Sequence, residues 1–361
     1  MKSAHYKILY DAHVFLSQRA GGISRYHYEL FKGLLQMGNN AQIAGKFIKN
    51  QYLISDHEAG NKFIYDPHAL FALFNHWMLN YQVKRLPKNG IFHPSIPFAK
   101  IEDVFIHAPH KVLTIHDMIL EMENPSILAS RKQFVAHADK IIAVSQSTKD
   151  DIVSCYQVDP NKIDVIYHGS SLSGRNIQKP QQLLPEKYLF FVGERHSYKN
   201  FKFFIETIAP FLKKQDSLHV VCAGKKPFSS EETTLFEVLS INSQVHQVVQ
   251  PKNDELAYLY AKSQAFIFPS LKEGFGIPIL EAWSCKTPVI LCDNKCFREV
   301  AEDGAVFFNP EQQASLLNCL EQVLFNSAYK KSIVEKGNER LKAFSWQKSV
   351  ESHHKLYQSI I

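Results

Sequence analysis

The stretch "PSLKEGFGIPILEAWSCKTPVI" at 269–290 decides the fold. It follows "AFIFPS" (265–270), a short apolar run of aromatic and β-branched residues that reads as a buried strand. A loop with Gly274 and Gly276 comes next, and Pro278 stands where a first helical turn begins, so a helix is predicted over 278–286. "PVILC" (288–292) is then a second buried strand. Strand, glycine loop, helix and strand make one βαβ unit with parallel strands. The glycines let backbone approach a ligand, and the helix start offers N–H groups and a positive dipole end to an anion. Glu273 lies in the loop and Glu281 in the predicted first turn, seven residues intervening. A carboxylate there can accept the two hydroxyls of a ribose.

The same alternation runs through the rest of the 361 residues. Upstream, strands are predicted at 7–10, 41–47, 91–93, 112–116, 140–145 and 164–169, with helices at 23–37 and 146–156 among them. The polar run "SSLSGRNIQKPQQLLPEK" (170–187) reads as a linker. Strands then resume at 188–194, 218–224, 246–250, 265–270, 288–292 and 305–310, with helices at 200–213, 254–262 and 278–286 and a helical, amphipathic last 40 residues. The fold class is α/β, with two doubly wound, Rossmann-like domains of a size that each can bury a core. The predicted division is 1–170 and 171–341, a C-terminal helix at about 342–361 packing back on the first domain. Such folds bind ligands at the carboxyl ends of their strands, and two facing domains would form a central cleft there.

Composition narrows the function classes. Apolar residues make up 45% and charged residues 21%, a globular balance. The formal net charge of +6 suits anionic small molecules or an anionic surface, but without a long Lys/Arg block or a recognition motif it does not call for nucleic acid. The six cysteines form no C-x-x-C pair and sit mostly in apolar runs, as buried free thiols of a reducing compartment would. With no apolar signal core at the N-terminus and no run of about 18 apolar residues, the expectation is a cytoplasmic protein, either free or peripheral on the inner face of the membrane. Neither G-x-S-x-G nor H-E-x-x-H is present, which leaves hydrolase chemistry without support.

Three further segments carry chemistry. In "FVGERHSYKNF" (191–201) a strand ends at Gly193, Asn200 is placed to cap a helix, and Arg195 and Lys199 lie between. Two cations converging on a diphosphate supply the leaving-group electrostatics for which a divalent ion would otherwise be needed. In "RAGGISRYHYEL" (19–30), Gly21 and Gly22 close a loop and open a helix, with Arg25 one turn in; this is not a G-x-G-x-x-G dinucleotide fingerprint. In "VLTIHDMIL" (112–120), His116 falls at the end of a central strand, and Asp117 is placed to orient its ring. Ser145, Ser147 and Thr148 in "VSQSTKDDI" (144–152) read as helix-capping residues after another strand.

E-x7-E in a G-F-G-x-P context resembles the signature of glycosyltransferase family 4. The resemblance covers most of the chain, is strongest at 190–310 and is weaker at 48–90. It implies the GT-B fold and a retaining, metal-independent transfer from a nucleotide-diphosphate sugar, with no cofactor. Glu273 would bind hydroxyls of the donor sugar, helped by the amides of Gly274, Phe275, Gly276 and Ile277, and Glu281 would bind the nucleotide ribose. Arg195 and Lys199 resemble the family's Gly-Arg and Lys-Asn arrangement, although Glu194 intervenes after the glycine. The Gly21–Gly22 loop resembles the family's donor-phosphate loop. His116 would lie beside the donor sugar and the acceptor. The segments "GGISRY" (21–26) and the His116–Asp117 pair resemble those of mannosyltransferase-like members, which favours GDP-mannose, with a UDP-sugar close behind. The acceptor implied is a glycan or lipid-linked saccharide of surface polysaccharide or lipopolysaccharide assembly.

The alternatives are a GT-B-like epimerase or phosphorylase and a catalytically silent sugar-nucleotide-binding protein. A phosphorylase needs a pyridoxal phosphate lysine, for which no site stands out, and the retained Glu273, Glu281, Arg195 and Lys199 argue against silence. Residues 68–86, "HALFALFNHWMLNYQVKRL", have two readings: a helix touching a membrane or lipid-linked acceptor, and, more plainly, a buried helix with a polar end.

Overall fold

A computed structural model describes residues 6–55, 63–64, 69–172, 174, 177–195 and 197–361. The chain divides into two compact units, one of Met1–Gly169 with Trp346–Ile361, the other of Ser170–Ser345. Within the linker predicted at 170–187, residues 173, 175 and 176 lie outside the described residues, as does His68.

The first unit is built on strands β1 (Lys7–Asp11), β2 (Asn40–Ala44), β5 (Ile91–Phe92), β6 (His110–Ile115), β7 (Lys140–Ala143) and β8 (Ile163–Val165), β3 (Phe47–Ile48) and β4 (Phe63–Ile64) forming a separate two-stranded ribbon. The six strands are parallel, in the order β2-β1-β5-β6-β7-β8. Both faces are covered, and the two-residue period of a strand shows it. Ile8, Tyr10, Val112 and Ile142 feed one apolar cluster, while Leu9, Leu113, Ile141 and Ala143 feed another. The chain's last helix, Trp346–Gln358, lies on the helix Gly22–Gln36 so closely that a Cβ on Gly33 would stand 2.5 Å from Val350.

The second unit carries β9 (Lys187–Val192), β10 (Leu218–Gly224), β11 (Val245–Val249), β12 (Ala265–Phe268), β13 (Val289–Cys292) and β14 (Val306–Phe308). All are parallel, in the order β11-β10-β9-β12-β13-β14. The unit's first strand, β9, thus has β10 on one side and β12 on the other, and the order reverses between β9 and β12. That reversal is where doubly wound sheets open a crevice for ligands. Phe190, Phe191, Val220, Phe266, Ile267 and Ile290 are fully buried, as near-continuous apolar central strands must be.

Two expectations are corrected. The helix Ala69–Val83 is not a buried one: Leu73, Phe74, Trp77 and Tyr81 are exposed, while Asn75, Leu79 and Val83 are buried and Phe71 packs on Phe47. The helix after β12 runs Ile277–Ser284, so Pro278 is its second residue and Glu281 its fifth, beyond the first turn.

All six cysteines are free thiols, five buried and Cys155 half-buried. Among the described residues, no helix is long and apolar enough to cross a membrane.

Candidate active site

The loops that follow β9 and β12 meet at the reversal point of the second sheet. The amide of Leu271 donates to the carbonyl of Tyr198 at 2.8 Å, tying one loop to the other. Lys199, at the end of the first loop, places its Nζ 2.5 Å from Oε1 of Glu273 in the second. The two side chains are 15% and 13% exposed, so the pair is mostly screened from water yet reachable. Phe268 and Tyr198 lie beside the ammonium, at 5.5 and 5.2 Å from ring centre to Nζ. Phe275 is buried and packs edge-on against Phe344, which anchors the loop, and its carbonyl accepts from the Cys296 thiol at 3.5 Å.

Gly276 opens the helix Ile277–Ser284 from the left-handed region, at φ 93°. A Cβ there would lie 3.0 Å from Ile279 and 3.1 Å from Phe297, so the position admits only glycine comfortably. One turn further on, Glu281 is half-buried, and Oε2 accepts a hydrogen bond of 3.1 Å from the hydroxyl of Tyr260. Tyr260 is fully buried against Phe190 and Phe266, and burial beside Glu281 raises its pKa well above 10, so it stays a donor. Gly274, Phe275, Gly276, Ile277 and Glu281 therefore sit on one loop and helix start, with Lys199 and Glu273 beside them.

Arg195 has other partners. Its Nε lies 2.5 Å from Oε1 of Glu232, and Nη2 donates to the carbonyls of Pro227 at 2.9 Å and Lys226 at 3.3 Å. Its guanidinium also lies over the Phe228 ring, 4.9 Å from the centre. The structure brings Lys199 to Glu273 and holds Arg195 on the loop after β10. Asn200 stands at the helix cap position in the left-handed conformation, φ 54°, but its side chain makes no capping bond, contrary to the expectation. Asn tolerates that conformation, which is how it serves the turn.

In the first unit His116 is the residue after β6. Its ring is edge-on to Tyr26 at 4.9 Å and stacked near His168 at 5.8 Å. Its Nε2 is buried with no hydrogen-bond partner among the described residues. Burial, Arg131 and His353 together push its pKa down to about 3, so the imidazole is neutral. The carboxylate of Asp117 does not orient the ring; it accepts from the amide of Ile119 at 3.1 Å and closes the turn. Behind His116 runs a hydrogen-bonded chain. Tyr26 meets His353 at 2.6 Å and Thr114 at 2.9 Å, His93 meets Thr114 at 2.8 Å and Tyr357 at 2.7 Å, and Tyr357 meets Tyr10 at 2.9 Å. Gly21 and Gly22 open the helix Gly22–Gln36. Arg25, one turn in, lies 3.8 Å over the ring of Tyr52 and 3.4 Å from Glu29. Ser145 caps the helix Gln146–Tyr156 by accepting from the amide of Thr148 at 3.0 Å.

Family models match nearly the whole of this arrangement: "Glycosyltransferase Family 4" over residues 20–173 and "Glycosyl transferases group 1" over residues 174–340. The chain belongs to glycosyltransferase family 4. It is 29% identical over 231 residues to the O-antigen chain mannosyltransferase RfbU of Salmonella typhimurium, covering 64% of this chain and 63% of that protein. It is 26% identical over 267 residues to a serotype-specific mannosyltransferase WbdA of Escherichia coli, covering 66% of this chain and 32% of that one. The matches span less than two thirds of either relative's length. Solved structures share the fold at low identity. Anabaena HepE in complex with UDP and glucose superposes with a TM-score of 0.77 at 16% identity, over 98% of this chain and 100% of that one. Sucrose-phosphate synthase from Thermosynechococcus elongatus gives 0.76 at 16%, over 99% of both. This is the family's GT-B fold.

Sequence reading missed several residues around these sites. Tyr260 and Glu232 are ordinary members of amphipathic helices, and nothing in their spacing marks them. Asp11 was within reach: it ends β1, and its carboxylate accepts from the amide and hydroxyl of Ser95, just past β5, at 2.5 and 2.8 Å. Strand ends flanking a reversal of order are where polar residues repay attention.

Proposed function

We propose that the protein transfers a hexose, with retention at the anomeric carbon and without a metal ion, from a nucleotide-diphosphate sugar to a glycan or lipid-linked saccharide of an O-antigen type polysaccharide. The observation that carries this reading is the Lys199–Glu273 pair, 2.5 Å apart at the reversal point of the second sheet and beside the helix start at Gly276. A cation, a carboxylate and a helix start suit the three parts of such a donor. Lys199 and the helix start attract the diphosphate, Glu273 accepts hydroxyls of the sugar, and Glu281, held by Tyr260, accepts those of the ribose. GDP-mannose is the favoured donor because the relatives RfbU and WbdA are mannosyltransferases. A UDP-sugar is the second choice, since HepE was solved with UDP and glucose. All six thiols are free, which suits work in the reducing cytoplasm.

In the proposed reaction the bond from the anomeric carbon to the phosphate oxygen breaks and a bond to the acceptor oxygen forms on the same face. The acceptor's proton passes to the departing phosphate, and a nucleoside diphosphate leaves. Lys199 offsets the charge that develops on that phosphate, where preorganised electrostatics contribute most. His116, being neutral, serves as a hydrogen-bond partner for a sugar hydroxyl and not as a source of charge. Arg195 joins in only if it leaves Glu232. Its proposed role is therefore to hold the loops after β9 and β10 in register until the donor binds, and then to turn to the diphosphate.

The test is transfer from GDP-mannose and UDP-sugars in chelator, with anomeric configuration read by NMR. Lys199→Ala and Glu273→Ala should each lower kcat by about 100-fold or more. Full activity in both variants, an inverted product, or activity that disappears with chelator contradicts the reading. Nucleotide binding with no transfer across a broad acceptor panel would favour the silent binding protein.

A further inference from the structure

The helix Ala69–Val83 shows two unlike faces. Asn75, Leu79 and Val83, four residues apart, are buried, and the Asn75 amide is spent on the ribbon strand: it accepts from the amides of Lys46 and Phe47 at 3.0 and 3.2 Å and donates to the Phe47 carbonyl at 2.8 Å. On the other side Leu73 is 59% exposed, Phe74 41%, Trp77 61% and Tyr81 46%. These are not scattered. Phe74 and Trp77 have ring centres 5.9 Å apart, Trp77 stacks on Tyr81 at 5.9 Å, and the Arg85 guanidinium caps Tyr81 at 4.3 Å. Leu73, Trp77, Tyr81 and Lys84 follow the spacing of one helical stripe. The stripe ends in cations: Lys84, Arg85 and Lys88 are exposed, and no Asp or Glu occurs from Pro67 to Ile101.

A contiguous exposed aromatic row marks a surface that meets something other than water. We propose that this face docks the protein on an anionic lipid bilayer, the helix lying flat with Leu73, Phe74, Trp77 and Tyr81 in the headgroup boundary and Lys84, Arg85 and Lys88 on lipid phosphates. The chemistry favours lipid over protein. Trp and Tyr rings prefer the membrane–water interface, and flanking Lys and Arg reach the headgroups from there. A two-fold contact with a second copy through this face would gather only aromatics and cations, with no acidic residue in the segment to pair them. The absence of acids from Pro67 to Ile101 also leaves this segment without a negative charge to repel anionic lipid.

The full chain is to be sedimented with phosphatidylcholine vesicles that contain or lack phosphatidylglycerol. Binding is expected only with the anionic lipid, weakened by salt, and accompanied by a blue shift of Trp77 fluorescence. Trp283 is buried and Trp346 half-buried, so Trp77→Phe should abolish the shift. Trp77→Ser with Tyr81→Ser, and separately Lys84→Glu with Arg85→Glu, should each lower partitioning about tenfold or more at an unchanged melting temperature, given roughly a fivefold effect per cation near such a surface. Wild type remaining with the supernatant overturns the proposal. So does undiminished binding by both double variants, or a concentration-dependent dimer in the absence of vesicles that the aromatic variant abolishes.

Discussion

Lys199 and Glu273 neutralise each other across two loops, so each is the other's main restraint. Removing either leaves its partner partly buried without a counter-charge, which costs geometry as well as charge. Tyr260 offers a finer test of the same site. Its hydroxyl fixes one oxygen of Glu281. Tyr260→Phe keeps the ring in its aromatic pocket and removes only that bond. Hydrogen bonds to charged groups contribute about 1.5–3 kcal/mol, so the KM for the donor should rise about tenfold with kcat little changed. In the background of Glu281→Ala the same substitution should have no further effect on KM, because nothing remains to position. Equal losses in kcat and KM, or an additive double variant, would show that Tyr260 acts through packing instead.

At the scale of elements, the loop and helix around Gly276 are the sensitive point. Gly276→Ala would place a Cβ in the left-handed region 3.0 Å from Ile279 and 3.1 Å from Phe297. Backbone strain of this kind costs about 1–3 kcal/mol, and the helix start would shift away from its ligand. Urea unfolding should show a lower midpoint with an unchanged slope, and donor binding should fall with it; an unchanged midpoint would contradict the argument. Much of this element was legible in the sequence. "AFIFPS", the two glycines, Pro278 and "PVILC" announce strand, loop, helix and strand because central parallel strands must be apolar on both faces and Gly and Pro punctuate what lies between. The ends were less legible: the helix begins at Ile277 and stops at Ser284, a residue or two from the predicted span, as frayed termini do. The helices Pro125–His137 and Ser230–Val238 escaped notice because few of their residues are buried. Partners escaped for a different reason. That Arg195 would find Glu232, or Lys199 find Glu273, depends on which loops the strand order brings together, and no local pattern carries that order. The outward aromatic row on Ala69–Val83 was illegible too, since an apolar helix reads alike whether its second face meets core or lipid.

At the scale of the whole molecule, the two units differ in how they should meet acid. The first unit buries His27, His93, His116, His168 and His353, and burial lowers the pKa of each, to about 3 for His116 and about 4 for His353. An unfolded chain protonates its histidines near pH 6.5. Between those values the unfolded state binds more protons, so stability is full above pH 6.5 and drains as pH falls, by about 1.4 kcal/mol per pH unit for each such histidine. In the second unit His219 and His246 are also lowered by burial, but both are only half-buried. Amide exchange followed from pH 7 to pH 4 should therefore show protection lost first in the unit of Met1–Gly169 and Trp346–Ile361. Simultaneous loss in both units would contradict this.

The measurement that bears most directly on the account is calorimetric titration of GDP-mannose, with a UDP-sugar alongside, into the wild-type chain and Lys199→Ala in the presence of chelator. One of these donors should bind wild type without any divalent ion, with a fall of about tenfold or more in affinity when Lys199 is removed. Binding that requires a metal, or that is undiminished in Lys199→Ala, would contradict it.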